Sequence, residues 1–303
     1  MNHTAFIFPG QGAQAIGMGQ DFYENFACSR RIFETAGEVS GLDMEALCFE
    51  ENDNLNLTEY TQIALVTTET AILEAVKEAG YTGEVYAGLS LGEYTAITAA
   101  GALSFADAAR IVRQRGILMQ DTVPAGAGTM AAIVGLEVRV IEELIGSTEG
   151  EVGIANYNSP AQTVITGEKQ AVLAVKEKAE KSGAKMVVEL NVSGPFHSSM
   201  LRPAGDKMRK VLEEVSLSAL NAPYVANLTG DYVEDAGIIK ESLIQQIYSP
   251  VCWYQGIERM IARGITTFVE IGPGRTLAGF NKKINKEVRT INIAKVEDLE
   301  KLK

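Results

Sequence analysis

Residues 84–94 read Glu-Val-Tyr-Ala-Gly-Leu-Ser-Leu-Gly-Glu-Tyr: a short β-type run, a Gly-x-Ser-x-Gly turn and the beginning of a helix-type run. This order predicts a nucleophile elbow, a sharp strand-to-helix turn that presents the hydroxyl of Ser90 at the edge of a sheet. The glycines fit because such a turn crowds the backbone and favours residues without Cβ. The alternative is an ordinary strand–loop–helix connection in which Ser90 is only a helix N-cap.

Strands and helices alternate on both sides of this turn, which predicts an α/β fold with a mainly parallel sheet. Residues 128–192 instead read strand, helix, strand, strand, helix, strand, which is the βαββαβ order of a ferredoxin-like unit. We therefore predict a large α/β subdomain, residues 1–127 and 193–303, into which a small ferredoxin-like subdomain, residues 128–192, is inserted. The last strand of that small unit is predicted to span residues 185–192.

Composition excludes several classes of function. The net charge of −12, without a basic stripe, argues against nucleic-acid binding. No apolar run reaches the roughly 18 residues that a membrane helix needs. Residues 1–9 lack the basic and apolar regions of a secretion signal. Three scattered cysteines without metal-binding spacing indicate a reducing compartment, so we expect a cytoplasmic protein with no bound metal.

A nucleophilic serine needs a base, and the chain has only two histidines with which to supply the usual one. His3 precedes the first predicted strand, whereas His197 lies in a loop that joins the small unit to the next helix. If Ser90 is activated by a histidine, His197 is the base by elimination. The alternative is an exposed loop histidine without a catalytic role.

Arg115 lies on the apolar face of a predicted helix. The apolar residues of that helix fall within about 60° of the direction of Arg115. They are Ala108, Ile111, Val112, Leu118 and Met119. An arginine on a buried face needs an anionic partner. That partner is either a buried Asp or Glu of the chain or the carboxylate of a substrate, which a guanidinium binds bidentately.

Gln11 lies in the turn Pro9-Gly10-Gln11-Gly12, directly after the first predicted strand. Loops at the carboxyl ends of parallel strands face the ligand crevice, so Gln11 and Ser90 should share one edge of the sheet. Gln11 and the backbone N–H of Leu91 are therefore candidates for an oxyanion hole, with a simple turn residue as the alternative for Gln11. A dinucleotide site is rejected because the glycine spacing of that motif is incomplete.

Taken together, these motifs closely resemble the malonyl-CoA:acyl carrier protein transacylase family, which includes the acyltransferase domains of fatty-acid and polyketide synthases. The resemblance covers nearly the whole chain. The matching segments are Phe8-Pro9-Gly10-Gln11-Gly12, Thr61-Gln62, Gly88-x-Ser90-x-Gly92-Glu93, Arg115-Gly116, Met119-Gln120, Gly128-x-Met130-Ala131-Ala132, Asn156-x-Asn158-Ser159-Pro160, Phe196-His197, Ser249-Pro250-Val251-x-Trp253 and Glu270-x-Gly272-Pro273-Gly274.

The resemblance implies an α/β-hydrolase-like core with an inserted ferredoxin-like subdomain. It also implies a role for each matching residue. Ser90 would be the nucleophile and His197 the general base, oriented by the backbone carbonyl of Gln246. Gln11 and the Leu91 amide would form the oxyanion hole, and Arg115 would bind the malonyl carboxylate. The substrate pocket would include Gln62, Asn158, Phe196 and Met119.

Two positions bear on selectivity within the family. Leu89 stands where members commonly have histidine before the nucleophile, which removes a polar contact near the pocket without removing the base. Phe196 resembles the bulky residue of malonyl-selective members, and we expect it to act as a steric wall against a 2-methyl group. One methyl group discriminates by about 1–3 kcal/mol.

The resemblance implies ping-pong transfer of malonyl from malonyl-CoA to the phosphopantetheine thiol of an acyl carrier protein, through a malonyl ester of Ser90, in fatty-acid synthesis. Coenzyme A would be part of a substrate and not a cofactor, and a monomer is expected. A trans-acting acyltransferase of polyketide synthesis is the alternative within the family. Two further alternatives are an α/β-hydrolase esterase and a non-catalytic subunit that binds carrier proteins.

Overall fold

The computed structural model describes residues 3–303, so the first two residues of the segment tested above for a secretion signal lie outside it. Among the described residues, no helix is long and apolar enough to cross a membrane. Residues 3–303 form ten strands: β1 (Thr4–Phe8), β2 (Val85–Gly88), β3 (Gly128–Val134), β4 (Val152–Ser159), β5 (Gln162–Glu168), β6 (Met186–Glu189), β7 (Tyr224–Ala226), β8 (Asp231–Val233), β9 (Thr267–Ile271) and β10 (Arg289–Ile293).

The α-helices of the described chain alternate with these strands. They are α1 (Gln20–Asn25), α2 (Ala27–Ser40), α3 (Met44–Phe49), α4 (Thr58–Glu78), α5 (Gly92–Ala99), α6 (Phe105–Asp121), α7 (Val138–Gly146), α8 (Lys169–Lys181), α9 (Arg202–Glu213), α10 (Ile239–Gln246), α11 (Trp253–Ala262) and α12 (Thr276–Ile284). Short 3-10 turns lie among them, including one at Ser199–Leu201 directly before α9.

The larger sheet has six strands in the order β10-β9-β1-β2-β7-β8. All of its pairings are parallel except that of β7 with β8. Strand β1 is buried on both faces, as expected for a parallel sheet covered by helices. Its side chains alternate: Phe6 and Phe8 pack into the larger apolar core, while Ala5 and Ile7 pack with α11 residues on the other face.

The smaller sheet is antiparallel, in the order β4-β5-β3-β6, with α7 and α8 between its strands in the sequence. One face packs against these helices through residues such as Ile133, Ile141 and Val172. The other face carries Met130, Ala132 and Val164, which join the core of the larger part. The predicted α/β architecture, with a mainly parallel sheet and a separate βαββαβ unit, is confirmed.

Strand β6 is shorter than the sequence predicts, and the first residue of α5 decides whether Ser90 is its N-cap. Strand β6 ends at Glu189 rather than at residue 192, because its ladder with β3 ends there. Leu190 and Val192 continue as a loop and line the central cleft. The helix after Ser90 begins at Gly92, and Leu91 is its N-cap without a side-chain hydrogen bond. Ser90 is therefore not the cap of that helix.

Candidate active site

The elbow around Ser90 depends on two glycines. A Cβ on Gly88 would lie 1.9 Å from the carbonyl carbon of Gly92, and a Cβ on Gly92 would lie 2.3 Å from the carbonyl oxygen of Phe8. Larger residues would therefore collide with backbone at both positions. Ser90 itself has φ 52°, in the left-handed region that non-glycine residues seldom adopt. The turn brings its hydroxyl to the carboxyl end of β2.

Asn227 holds this strained turn from the next strand of the sheet. It directly follows β7, which pairs with β2, and it is buried. Its Nδ2 donates to the carbonyl oxygen of Gly88 at 2.7 Å, and its Oδ1 accepts from the backbone N–H of Ser90 at 2.5 Å. One side chain thus satisfies backbone groups on both sides of the turn, where no regular ladder can do so.

His197 lies against Ser90 in a geometry suited to proton transfer. Its Nε2 is 2.7 Å from the Oγ of Ser90, and its Nδ1 is 2.8 Å from the backbone carbonyl oxygen of Gln246. A carbonyl oxygen only accepts, so Nδ1 carries the proton and Nε2 of the neutral ring is free to accept one from Ser90. Burial, and secondarily the charge of Arg115, lower the pKa of His197 to about 4. The ring is therefore neutral at pH 7.

Arg115 is the third member of this cluster and is 1% exposed. Its terminal nitrogens donate to Gln62 Oε1 at 2.9 Å, to Gln246 Oε1 at 3.0 Å and to Ser90 Oγ at 3.1 Å. Within residues 3–303, no carboxylate forms an ion pair with it, and its Nε has no hydrogen-bond partner. Arg115 therefore does not form the ion pair with a buried Asp or Glu that was the alternative to a substrate site. A buried cation held by neutral oxygens and the ring of Tyr94 is suited to receive an anion.

Gln246 connects the base to the cation. Its carbonyl oxygen orients His197, while its side-chain oxygen accepts from Arg115. Its Nε2 donates at 2.8 Å both to the carbonyl oxygen of Ser90 and to Glu93 Oε2. A backbone carbonyl thus stands where the acid of a Ser-His-Asp triad would contact the histidine. Gln246 is fully buried behind the cluster, at the end of α10.

The cluster opens into a cleft of about 270 Å³. The other residues predicted for the site line it, with the exception of Gln246: they are Gln11, Gln62, Leu91, Met119, Asn158 and Phe196. The side-chain nitrogen of Gln11 donates to the hydroxyl of Thr58 at 3.1 Å. The Nε2 of Gln62 lies 3.7 Å from the sulfur of Met119, so these two side chains form one wall beside Arg115.

The remaining walls of the cleft are mostly apolar, with Asn156, Gln162 and Thr276 as polar exceptions. The antiparallel sheet contributes Met130, Ala132 and Val164, and Leu190 follows it. Leu89, at the position where histidine is common in the family, packs with the apolar cluster that also includes Phe280 of α12. The polar contact that a histidine would make is here replaced by apolar surface.

Two residues of this network were not assigned a role from the sequence. Asn227 carries a signal that was available, because a buried polar residue directly after a parallel strand belongs to the ligand edge of the sheet. Glu93 was noted only as part of a motif, and its burial depends on packing that no local pattern reveals. Among the described residues, no group of three or more His, Cys, Asp or Glu could hold a metal ion.

Comparisons with known proteins identify the family of the chain. Residues 5–298 match the family model described as the acyl transferase domain. The chain is 43% identical over 304 residues to the malonyl CoA-acyl carrier protein transacylase of Bacillus subtilis (strain 168), covering 99% of this chain and 96% of that protein.

Solved structures give the same result. The malonyl CoA-acyl carrier protein transacylase from Clostridium perfringens ATCC 13124 superposes with a TM-score of 0.96 at 42% identity, covering 99% of this chain and 95% of that one. A malonyl-transacylase in complex with its type II PKS acyl-carrier protein superposes with a TM-score of 0.95 at 36% identity, covering 98% and 97%. The chain therefore belongs to the acyl transferase domain family and, within it, to the malonyl-CoA:acyl carrier protein transacylases, which are acyltransferases.

Proposed function

We propose that this chain transfers the malonyl group from malonyl-CoA to the phosphopantetheine thiol of an acyl carrier protein, in fatty-acid synthesis. The observation that carries the proposal is the unpaired, buried Arg115, whose guanidinium contacts the hydroxyl of Ser90. A cation at that place selects an acyl group that ends in a carboxylate. The relatives named malonyl CoA-acyl carrier protein transacylase support the identity of that group.

In the first half-reaction, Ser90 Oγ attacks the thioester carbonyl of malonyl-CoA while His197 Nε2 accepts its proton. The C–S bond then breaks, and His197 returns the proton to the sulfur of the departing coenzyme A. The 2.7 Å contact between these two atoms already has hydrogen-bonding length, so proton transfer needs little rearrangement.

The oxyanion of the tetrahedral intermediate would lie against Gln11 and the backbone N–H of Leu91. Leu91 is the N-cap of α5, so its N–H lies at the positive end of the helix dipole. Removal of one oxyanion-hole donor typically costs about 3–4 kcal/mol of transition-state stabilisation. Both residues line the cleft beside Ser90.

The malonyl carboxylate would bind the guanidinium of Arg115. Gln62 and Gln246 hold the two terminal nitrogens from behind, which keeps the planar fork oriented before substrate arrives. Asn158 and Met119 complete the pocket, and Asn158 Oδ1 is buried without a hydrogen-bond partner. Phe196, 6% exposed, would exclude a substituent at the 2-position.

In the second half-reaction, the carrier's phosphopantetheine thiol attacks the malonyl ester, and His197 accepts the thiol proton and returns it to Ser90 Oγ. The apolar walls of the cleft disfavour water as the competing nucleophile. Each proton transfer in this scheme is assigned to a residue of the chain, and coenzyme A is a substrate rather than a resident cofactor. Because one chain supplies Ser90, His197 and Arg115, we propose that it acts as a monomer. The three free cysteines fit a reducing compartment, which supports a proposed location in the cytoplasm.

The test is to incubate the pure protein with labelled malonyl-CoA and locate the label by peptide mass spectrometry. We expect one malonyl group on Ser90, transfer of that group to an added holo acyl carrier protein, and no label in Ser90→Ala. Retained labelling in Ser90→Ala would refute the nucleophile. Hydrolysis of short p-nitrophenyl esters faster than thiol transfer would favour the esterase alternative, and the absence of any acyl-enzyme would favour a non-catalytic subunit.

A further inference from the structure

Glu93 is a buried carboxylate three residues after the nucleophile, to which the mechanism above gives no part. It lies in the first turn of α5 and is fully buried. Its Oε2 accepts from Gln246 Nε2 at 2.8 Å and from the backbone N–H of Asn227 at 3.2 Å. Its Oε1 has no hydrogen-bond partner among the described residues. Within residues 3–303, the hydrogen bonds of its carboxylate therefore go to the two residues that hold the active-site cluster.

The first of these partners is Gln246. Its terminal amide has an oxygen that accepts and a nitrogen that donates, and the two groups have nearly the same shape. Its side-chain oxygen must face Arg115, because a side-chain nitrogen in that position would place one N–H donor against another. Glu93 Oε2 also accepts from the backbone N–H of Asn227, so it acts as an acceptor and favours the single orientation in which Gln246 Nε2 points toward it and the Gln246 oxygen points toward Arg115. The backbone oxygen of Ser90 accepts from the same nitrogen and favours the same orientation.

The second partner, Asn227, clamps the elbow on both sides of Ser90. Its backbone N–H donates to Glu93, while its side chain bonds Gly88 and Ser90. Displacement of that backbone would loosen the contacts that hold Ser90 at φ 52°. One carboxylate thus supports both the cation and the nucleophile from behind.

We propose that Glu93 is a positioning residue that orients Gln246 toward Arg115 and holds Asn227 against the elbow, and thereby sets the preference for a carboxylated acyl group. This inference rests on the proposed malonyl transfer. The charges agree with it: burial lowers the pKa of Arg115, and nearby Glu93 is one of the groups that oppose this shift. The Glu93 carboxylate behind Arg115 therefore favours the charged form of the guanidinium.

The experiment compares two reactions of Ser90. Acylation by malonyl-CoA needs the nucleophile, the base and the clamp, whereas inactivation by the uncharged reagent phenylmethylsulfonyl fluoride needs only the first two. In Glu93→Met, which keeps the length of the side chain without its oxygens, we expect acylation to slow about 100-fold and inactivation about tenfold, so their ratio falls about tenfold. In Glu93→Gln, which retains an acceptor oxygen, the ratio should stay within about threefold of wild type.

Glu69→Met is the matched control. Glu69 is also a fully buried glutamate and accepts from Thr95, but it contacts neither Gln246 nor Asn227. Its ratio of acylation to inactivation should equal that of wild type even if its thermal stability falls. If Glu93→Met does not fold, Glu93→Asp replaces it, and its shorter side chain should lower the ratio by about threefold or more.

Three results would overturn the inference: an unchanged ratio in Glu93→Met or in its replacement Glu93→Asp, an equal fall in Glu69→Met, and a Glu93→Gln ratio as low as that of Glu93→Met. The wild-type reaction separates this failure from failure of the proposed function. If malonyl-CoA does not acylate wild-type Ser90, the proposed function is refuted and the inference with it. If wild type is acylated and the ratios do not change as stated, the inference alone is refuted.

Discussion

The two sides of the active-site cleft are built in different ways. The polar side, formed by Ser90, His197 and Arg115, is a buried hydrogen-bonded network at the carboxyl ends of parallel strands. The mainly apolar side is a face of the antiparallel sheet, where Met130, Ala132 and Val164 meet the cleft beside a few polar residues such as Asn158. Directed bonds position reacting atoms, whereas an apolar face only limits the volume available. The polar side should therefore govern the rate of acyl transfer, and the apolar surroundings should govern which acyl groups fit the cleft.

Backbone strain separates the two sides as well. Ser90 and His197 both adopt left-handed backbone conformations, with φ of 52° and 61°. Each such residue costs about 1–3 kcal/mol, and it persists only where surrounding contacts outweigh that cost. No residue of the antiparallel sheet other than glycine has a positive φ within the described chain. Of the three non-glycine residues with positive φ within residues 3–303, two are thus residues that we propose to react, and the third is His3 near the N-terminus.

The largest expected effect of breaking the polar side, short of removing Ser90, is that of Arg115→Ala. Loss of a buried bidentate contact to a carboxylate should lower kcat/KM for malonyl-CoA by about 100- to 10,000-fold, since each of the two charge-assisted hydrogen bonds contributes about 1.5–3 kcal/mol. Reaction with acetyl-CoA should fall much less. Steady-state kinetics with both thioesters measure the difference.

Arg113→Ala is the control for that variant. Arg113 lies on the same helix but pairs with Glu59 away from the cleft, and its change should alter kcat/KM by less than about threefold. An equal loss of malonyl and acetyl transfer in Arg115→Ala would contradict the carboxylate clamp.

The pH dependence of acylation tests the burial of the base. Because His197 acts in its neutral form and its pKa is lowered to about 4, the acylation rate should stay nearly constant as the pH falls from 8 to 5. A histidine with the ordinary pKa of 6.5 would lose about 30-fold at pH 5. Rapid-quench measurement of malonyl-enzyme formation gives this profile before acid unfolding interferes.

Glu93 provides the control for the pH profile, because burial raises its pKa to about 7. An inflection near pH 7 that disappears in Glu93→Gln belongs to Glu93 and leaves the prediction for His197 intact. An inflection near 6.5 that persists in Glu93→Gln would show that the histidine titrates normally, contrary to its buried position.

The smallest expected effect concerns how well the acyl group fits the pocket beside Phe196. Phe196→Ser should raise the ratio of methylmalonyl to malonyl transfer by about tenfold, because one methyl group in a tight pocket is worth about 1–3 kcal/mol. Phe196→Leu keeps most of the bulk and should leave the ratio nearly unchanged. Competition between the two thioesters in one reaction measures it, and equal ratios in all three proteins would exclude Phe196 as the wall. Thermal unfolding of Phe196→Ser shows whether the cavity also costs stability.

The polar side was easier to predict from the sequence than its supports. Ser90 was marked by local glycine spacing, and Arg115 by its position on an apolar helical face, both of which are properties of short segments. His197 followed from the small number of histidines. Gln246 was assigned only through the family resemblance, because what contacts His197 is its backbone carbonyl, which every residue has. Asn227 and the role of Glu93 were not predicted.

The sequence by itself determined the alternation of strands and helices, the turn at Ser90 and the inward direction of Arg115, because each follows from spacing within one segment. Only the tertiary structure decided that Arg115 would lack a carboxylate partner. It also decided that the Gln246 carbonyl would orient the base, and that Glu93 would join Gln246 to Asn227. These contacts join residues more than 40 positions apart, and such meetings depend on how whole elements pack rather than on any local pattern.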